Sequence, residues 1–361
     1  MSAAEVTHKL KLVRTVLANT GATGVRLRGT DWFAWATAGG SNTVLLAAET
    51  GVAEVLITLD GAWILTDEIE AQRLQDEEVP TGFEWAVNPW AMADQREAFV
   101  GSVTHGKVLS DLPTEAEAAL PPELMQAKRT LLFSEIERYR QVGRLASEAM
   151  TQTLSKAKPD WTEYQLAAAG AAALWVRGLH PTLTLVAGER RLPLYRHATA
   201  KAEPLGQIAM LVFCARGFGL YANLTRFVSF SPLSPEHEQL HQQVREIEAI
   251  ALNACQAGTP LNQVYFTLKQ AYEQQGYANA IAEHHQGGTT GYLSREVVAN
   301  PTTDDLLSAP IAMAWNPSLR GAKIEDTFLL HDDGSLENLT FDPNWPHVEV
   351  QGRKRPVPWV R

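Results

Sequence analysis

The reading of the fold turns on Val212-Phe-Cys-Ala-Arg-Gly-Phe-Gly-Leu-Tyr-Ala-Asn-Leu-Thr-Arg226. An apolar run, Ile208–Phe213, predicts a strand. The Gly-rich turn that follows feeds a return strand bearing Tyr221, Asn223, Thr225 and Arg226. Polar side chains of this kind on a strand of a sheet are unusual for pure scaffold. Upstream, Ser134 with Glu137 three residues later predicts a capping box opening a helix to about Ser155. A second helix starts at Thr162-Glu163 and carries AAAGAAALWV to about Arg177, small residues that permit close packing. A strand is expected around Thr182–Ala187. Downstream, Pro235–Ala257 and Leu261–Gln275 predict two more helices separated by Gly258-Thr-Pro. Strands then follow at Ile311–Trp315, Thr327–Leu330 and His347–Val350. Helix–helix–strands thus occurs twice, a duplication of element order without residue identity.

The N-terminal third reads differently. Val6–Leu17 has helical spacing and stops near Asn19–Gly21. Short extended runs are expected at Val25–Leu27, Val44–Leu46, Val55–Leu59 and, after the Asp60-Gly61 turn, Ala62–Leu65. Glu68–Leu74 reads as a helix start. Leu120-Pro-Pro-Glu is the best break in the chain, which gives a small α/β domain at 1–124 and a larger α+β domain at 125–361.

Composition bounds the function classes. The 361 residues carry 41 acidic and 31 basic side chains, a net charge of −10. A phosphate backbone repels that balance, so nucleic acid is not an expected partner. The apolar stretch at Leu166–Val176 is too short for a bilayer, so no membrane association is expected. MSAAEVTHKLK lacks the apolar core of a secretory signal. Two cysteines, Cys214 and Cys255, fit a reducing, cytoplasmic setting and no cysteine-based zinc site.

Two further segments carry chemistry: Glu283-His-His-Gln-Gly-Gly-Thr-Thr-Gly-Tyr292 and Trp315-Asn-Pro-Ser-Leu-Arg-Gly-Ala-Lys-Ile-Glu-Asp-Thr327. With the first stretch, these resemble the motifs of the pita-bread family that includes aminopeptidase P, prolidase, methionine aminopeptidase and creatinase. The family's Asp-Phe-Gly-Ala-x-x-x-Gly-Tyr-x-x-Asp-x-Thr-Arg is matched at Phe213, Ala215, Gly219, Thr225 and Arg226 without a gap. Its His-x-x-Gly-His-Gly-x-Gly resembles His284–Gly291. Its Ile-Glu-Pro resembles Trp315-Asn316-Pro317, and Glu325-Asp326-Thr327 is retained. The resemblance covers nearly the whole chain. It implies a small creatinase-like α/β domain followed by a pita-bread domain, and a homodimer.

The departures bear on chemistry. Peptidases of this family hold two metal ions with two Asp, one His and two Glu. The five positions here read Val212, Asn223, Gly288, Asn316 and Glu325. One carboxylate cannot offset two divalent ions, so no metal and no other cofactor is expected. What the resemblance leaves for catalysis is His284, with His197 as a competing base, Glu325 and Glu296; a histidine near its ordinary pKa exchanges protons at neutral pH. Tyr221, Asn223, Arg226, His285 and Asn316 are the expected ligand-lining residues. Each has a plainer reading. Arg226 can pair with Glu325 or Asp326, a His-His pair can be a turn feature, and Cys214 in an apolar strand reads as inert core rather than nucleophile.

Three functions follow for a short-peptide or small-molecule ligand. The first is a metal-independent hydrolase of a C–N bond in a small amidine, amide or dipeptide-like substrate, as in creatinase. The second is a non-catalytic peptide-binding relic, as in the peptidase-like domain of a histone chaperone subunit. The third is an Xaa-Pro peptidase with a metal site rebuilt from His197, His284, His285 and Glu325.

Overall fold

The computed structural model describes residues 3–361, which divide into two units. The first unit runs to Ile136 and takes in Phe218–Leu220. Its sheet has six strands: β1 (Gly24–Gly29), β2 (Thr50–Ile57), β3 (Ala62–Asp67), β4 (Glu84–Asn88), β5 (Val108–Ser110) and β6 (Glu117–Ala119). They lie in the order β4-β3-β2-β1-β5-β6. β1–β2 and β2–β3 are antiparallel, and the Asp60-Gly61 turn closes the second pair with Ile57 opposite Ala62. The helix Ala3–Thr20 buries Val6, Leu10, Val13 and Leu17, one stripe at helical spacing. Val44–Leu46, expected as a strand, is instead an exposed loop, with Val44 at 62% and Leu45 at 68% exposure. A three-residue apolar run has no sheet neighbour to satisfy its backbone there.

The break also falls later than the Pro-Pro pair suggests. The helix Pro122–Arg129 packs on Ala3–Thr20. Lys9 ties Glu135 into the same unit, its Nζ lying 2.7 Å from Glu5 and 2.7 Å from Glu135. The division therefore comes at 136/137, inside the helix Phe133–Leu154. Ser134 is already within that helix, and its hydroxyl donates to Glu5 rather than capping. The capping box belongs to the next helix, Glu163–Trp175, where Thr162 and Gln165 exchange bonds of 3.2 and 2.7 Å.

In the second unit, β7 (His180–Gly188), β8 (Ile208–Gly217) and β9 (Leu220–Ser229) form one sheet, edged by a C-terminal strand in the order 359–360, β9, β8, β7. Gly170 lets the Glu163–Trp175 helix come close to β8: a Cβ there would sit 2.8 Å from the Phe213 ring. The helices Pro235–Ala254 and Leu261–Gln274 cover a second sheet through Val244, Ile247, Leu252, Val264, Leu268 and Tyr272. That sheet holds β10 (Gly287–Thr290), β11 (Val297–Val298), β12 (Ile311–Trp315), then, after the short hairpin β13 (Ser318–Leu319) and β14 (Ala322–Lys323), β15 (Asp326–Leu330) and β16 (Leu336–Asn338). Its order is β11-β10-β12-β15-β16. The two sheets meet where the Thr225 amide donates to the Glu325 carbonyl at 3.0 Å. The repeated helix–helix–strands order is present, and its two halves join at this seam.

Candidate active site

Strand alternation sorts the seam into two faces. Gly288, Ala314 and Thr327 stand opposite one another across β10, β12 and β15. Trp315 and Phe328, their neighbours, point into the apolar core under the two helices. Small residues therefore floor the site while bulky ones hold it from behind. Asn223 and Thr225 of β9 share the site face: the Asn223 backbone N–H donates to Thr327 Oγ1 at 2.8 Å, its Nδ2 donates to Thr290 Oγ1 at 3.1 Å, and Thr225 Oγ1 donates to Glu325 at 3.0 Å. The Asn316 amide continues the ladder by donating to the Gln286 carbonyl at 3.1 Å. The side-chain Oδ1 atoms of Asn223 and Asn316 are buried with no partner.

Glu325 is buried and ionised. Its Oε1 takes Arg295 at 2.6 Å and its Oε2 lies 3.3 Å from the Lys323 ammonium. Burial is the largest single influence and favours the neutral acid. The nearby Lys323 and Arg295 charges, with hydrogen bonds from Arg295 and Thr225, outweigh it and hold the group down to about 2.

Three histidines lie together. His284 is buried, while His197 and His285 lie at the rim, each with part of its ring exposed and the rest desolvated by its neighbours. His284 Nδ1 faces the His285 carbonyl oxygen, an acceptor, so Nδ1 carries the proton. His284 Nε2 is therefore an acceptor, and it takes the Nε2–H of His197 at 2.8 Å. The His284 and His285 rings stack at 4.4 Å. Burial first, then Lys323 and the two other rings, push His284 down to about 3. Burial and then Arg295 push His285 to about 4. His197 is lowered too, chiefly by burial and then by Lys323. The segment is pinned from below: Gln286 donates to the His284 carbonyl at 2.6 Å and accepts from Tyr272 at 2.9 Å. An Arg196–Glu283 ion pair ties the His197 loop alongside.

The expected residues are thus only partly reunited. Asn223, Asn316 and Glu325 share the seam, and His197, His284 and His285 form one cluster. Glu325 is engaged by Arg295, Lys323 and Thr225, and His284 pairs with His197 rather than with Glu325 as expected. Tyr221 is half-buried, its amide donating to the Gly291 carbonyl at 2.9 Å and its carbonyl accepting from Tyr139 at 2.6 Å. Arg226 points to the other face, pairing with Asp326 at 2.7 Å and donating to the Thr340 carbonyl at 3.0 Å, which is the structural reading rather than the ligand-lining one. Glu296 accepts from the Leu293 amide at 3.1 Å, a bond within the loop after β10. Burial pushes the Cys214 thiol up to about 12, which removes it as a nucleophile.

Arg295 and Lys323 were missed by sequence reading. Lys323 carried a weak signal, a charge two residues before Glu325. Arg295 carried none, because its partner is 30 residues away in sequence.

Residues 137–332, just over half of the chain, match the model of metallopeptidase family M24. The chain belongs to that family. An uncharacterized peptidase of Staphylococcus aureus (strain MW2) is 26% identical over 119 residues, 31% of this chain and 34% of its own length. The chain thus matches about a third of the length of such curated relatives. The Xaa-Pro dipeptidase from Bacillus anthracis superposes with a TM-score of 0.78 at 18% identity, over 94% of this chain and 98% of that one. The X-Pro aminopeptidase from Thermotoga maritima does so with 0.77 at 18%, over 92% and 98%. The fold is the pita-bread fold, a smaller N-terminal α/β domain before the larger α+β domain.

The family's name implies metal, and the residues here do not fit a paired centre. Val212 lies in an apolar cluster with Leu185, Met210 and Phe227. Gly288 has φ +153°, and a Cβ there would sit 2.0 Å from the Val297 carbonyl oxygen, so the backbone refuses a histidine. The one carboxylate is engaged by two cations. The three histidine ligand atoms lie within 4.8 Å of one another, a spacing one transition ion could bridge, but Lys323 and Arg295 oppose a dication there.

Proposed function

We propose that this chain hydrolyses a C–N bond in a small amide, amidine or dipeptide-like substrate without the family's paired metal ions, using its histidine cluster for proton transfer. One observation carries the reading: the His285 carbonyl sets the tautomer of His284, which in turn sets that of His197. His197 donates its Nε2–H to His284, so its Nδ1 holds the lone pair. His197 is also the exposed member of that pair, suited to take a proton from an attacking water and return it to the departing nitrogen. His284 acts through it as a positioning residue. Glu325 holds Arg295 and Lys323 in place and does not touch the proton. A cytoplasmic setting, expected from the cysteine content, and a homodimer, implied by the family resemblance, belong to the same proposal; sedimentation of the purified chain tests the dimer.

The test is turnover of creatine-like amidines, proline dipeptides and small amides by protein treated with chelator. His197→Ala should lower kcat by about 10²- to 10⁴-fold while the protein stays folded. The rate should rise with pH through a value below 6.5, because His197 is lowered from that ordinary pKa, and stay flat above it. Activity that appears only with stoichiometric zinc, manganese or cobalt would overturn the reading. A second reading, a binder without turnover, is favoured by the low pKa of His284, which removes the strongest expected acid. A ligand recovered unchanged from the site in every assay would establish it.

A further inference from the structure

The C-terminal hairpin leaves one edge open beside a helix. Among the described residues, β17 (His347–Val350) pairs with β18 (Arg353–Pro356) alone. Gln351 and Gly352 join them with φ +48° and +78°, both in the left-handed region that a type I′ turn needs. Such a turn makes Val350 and Arg353 the hydrogen-bonded pair that closes the ladder, so Val348 and Arg355 bond next. His347 and Glu349 are the alternate residues, and their backbone N–H and C=O groups face away from β18. Pro356, which has no N–H to give, stands opposite His347 and fits that phase. The free edge borders a cleft of about 600 Å³. Residues 348–351 line it consecutively, which a sheet face, showing alternate residues, would not do. The opposite wall is one stripe of the helix Pro235–Ala254, with Gln242, Arg245, Glu246 and Ile250 at helical spacing. A helix facing an unpaired strand edge is a seat for an added strand.

Arg245 gives this cleft a chemical preference. Its Nε is buried without a hydrogen-bond partner, and among the described residues no carboxylate forms an ion pair with it. The adjacent Glu246 is taken by amides: Gln242 donates to one oxygen at 2.8 Å and Gln275 to the other at 2.8 Å. Glu248 is gripped by Arg355. Glu349 is exposed and stands opposite Lys354 in the hairpin. Burial is the largest influence on Arg245 and pushes its pKa down; Glu246 and Glu248 pull it up, Arg355 pushes with burial, and the sum is downward. A half-buried guanidinium in that field gains from any acceptor that enters the cleft, and most from a charged one. We infer that the cleft binds an extended segment of a partner protein, added as a strand to β17, with an acidic side chain of that segment on Arg245. The main-chain groups of His347 and Glu349 supply affinity that does not depend on sequence. Ile250 and Val348, the latter 41% exposed, offer apolar contact, and Arg245 selects the acidic residue. None of the residues lining the cleft belongs to the histidine cluster or to the Glu325 seam, so the inference stands independently of the proposed hydrolysis.

Fluorescence anisotropy of the full chain with a labelled peptide, acetyl-Ser-Val-Thr-Val-Asp-Val-Thr-Ser-amide, tests this. The peptide should bind one to one, and a version with Asn in place of Asp should bind at least about tenfold more weakly. Arg245→Gln should bring the Asp peptide down to the level of the Asn peptide and leave the Asn peptide within about twofold, the mark of a direct pair. Glu349→Pro removes the outward N–H and no ladder bond, so the chain should stay folded by circular dichroism while both peptides lose binding. Glu349→Ala keeps that N–H and should bind the Asp peptide at least as tightly as the unaltered chain. If the proline variant fails to fold, the Arg245→Gln comparison decides alone. No binding of the Asp peptide overturns the inference, as does equal binding of the two peptides or binding untouched by Glu349→Pro. Acetate displacing the peptide at equal concentration would leave an anion site only. A chain that sediments as a dimer and becomes monomeric in Glu349→Pro but not in Glu349→Ala would give the edge to a second copy. Either of these last two outcomes also overturns it.

Discussion

Glu325 and Asp326 are adjacent in sequence and point to opposite faces of the same strand entry, and their surroundings differ in kind. Asp326 lies between Arg226 at 2.7 Å and Arg355 at 2.9 Å, and Arg355 also grips Glu248 with two bonds of 2.7 and 2.6 Å. Two carboxylates meet two guanidiniums, and the charge closes. Glu325 is one carboxylate that takes two cations, Arg295 at 2.6 Å and Lys323 at 3.3 Å. Both clusters are buried, so burial by itself does not mark a functional site. What separates them is how the cations are divided: Asp326 shares Arg355 with Glu248, whereas Glu325 takes Arg295 and Lys323 together with the Thr225 hydroxyl.

Breaking the closed cluster should have the largest effect. Arg355→Met leaves Glu248 and half of Asp326 buried without a partner, and should cost about 3–5 kcal/mol in reversible urea unfolding. A loss below about 1 kcal/mol would mean the closed cluster is not structural in the sense argued here.

Acid should come next, and it probes both regions. His241, packed against Phe227 at 4.6 Å, is pushed down to about 3, chiefly by burial and then by Arg245. His284 lies at about 3 and His285 at about 4. All three bind protons more readily unfolded, at the ordinary value of 6.5, so stability is fully present above 6.5 and falls as pH drops toward 4 and 3. Glu325, lowered to about 2 from 4.5, adds a loss that begins only below 4.5. A urea midpoint that stays constant from pH 6.5 down to 4 contradicts these environments.

The smallest change sharpens the Glu325 cluster. Thr225→Val removes the 3.0 Å hydroxyl bond to Glu325 and leaves both cations in place. Stability should fall by only about 0.5–1.5 kcal/mol, read from the same unfolding curves. A loss as large as that of Arg355→Met would show that Glu325 depends on Thr225 more than on its ion pairs.

What the sequence determined by itself is the architecture and the small neighbourhood of each motif. The helix stripes at Val6–Leu17, the Asp60-Gly61 hairpin and the repeated helix–helix–strands order are local patterns, and local periodicity and turn chemistry suffice to specify them. Phe213, Gly219, Thr225 and Glu325-Asp326-Thr327 carried the family in their spacing, and the absence of acidic side chains at Val212, Asn223 and Asn316 was legible letter by letter. Tertiary structure decided the rest. Val44–Leu46 had the right residues for a strand and no neighbour to pair with, and the helix after Pro121-Pro122 stayed with the first unit because it packs on Ala3–Thr20, where Lys9 also reaches Glu135. Which histidine donates and which accepts depends on a carbonyl placed beside His284. That Arg295 and Lys323 converge on one carboxylate depends on the register of β10, β12 and β15, which brings residues 30 apart to 2.6 Å. Charge balance at a buried site is a sum over neighbours in space, and a chain read in order does not contain that sum.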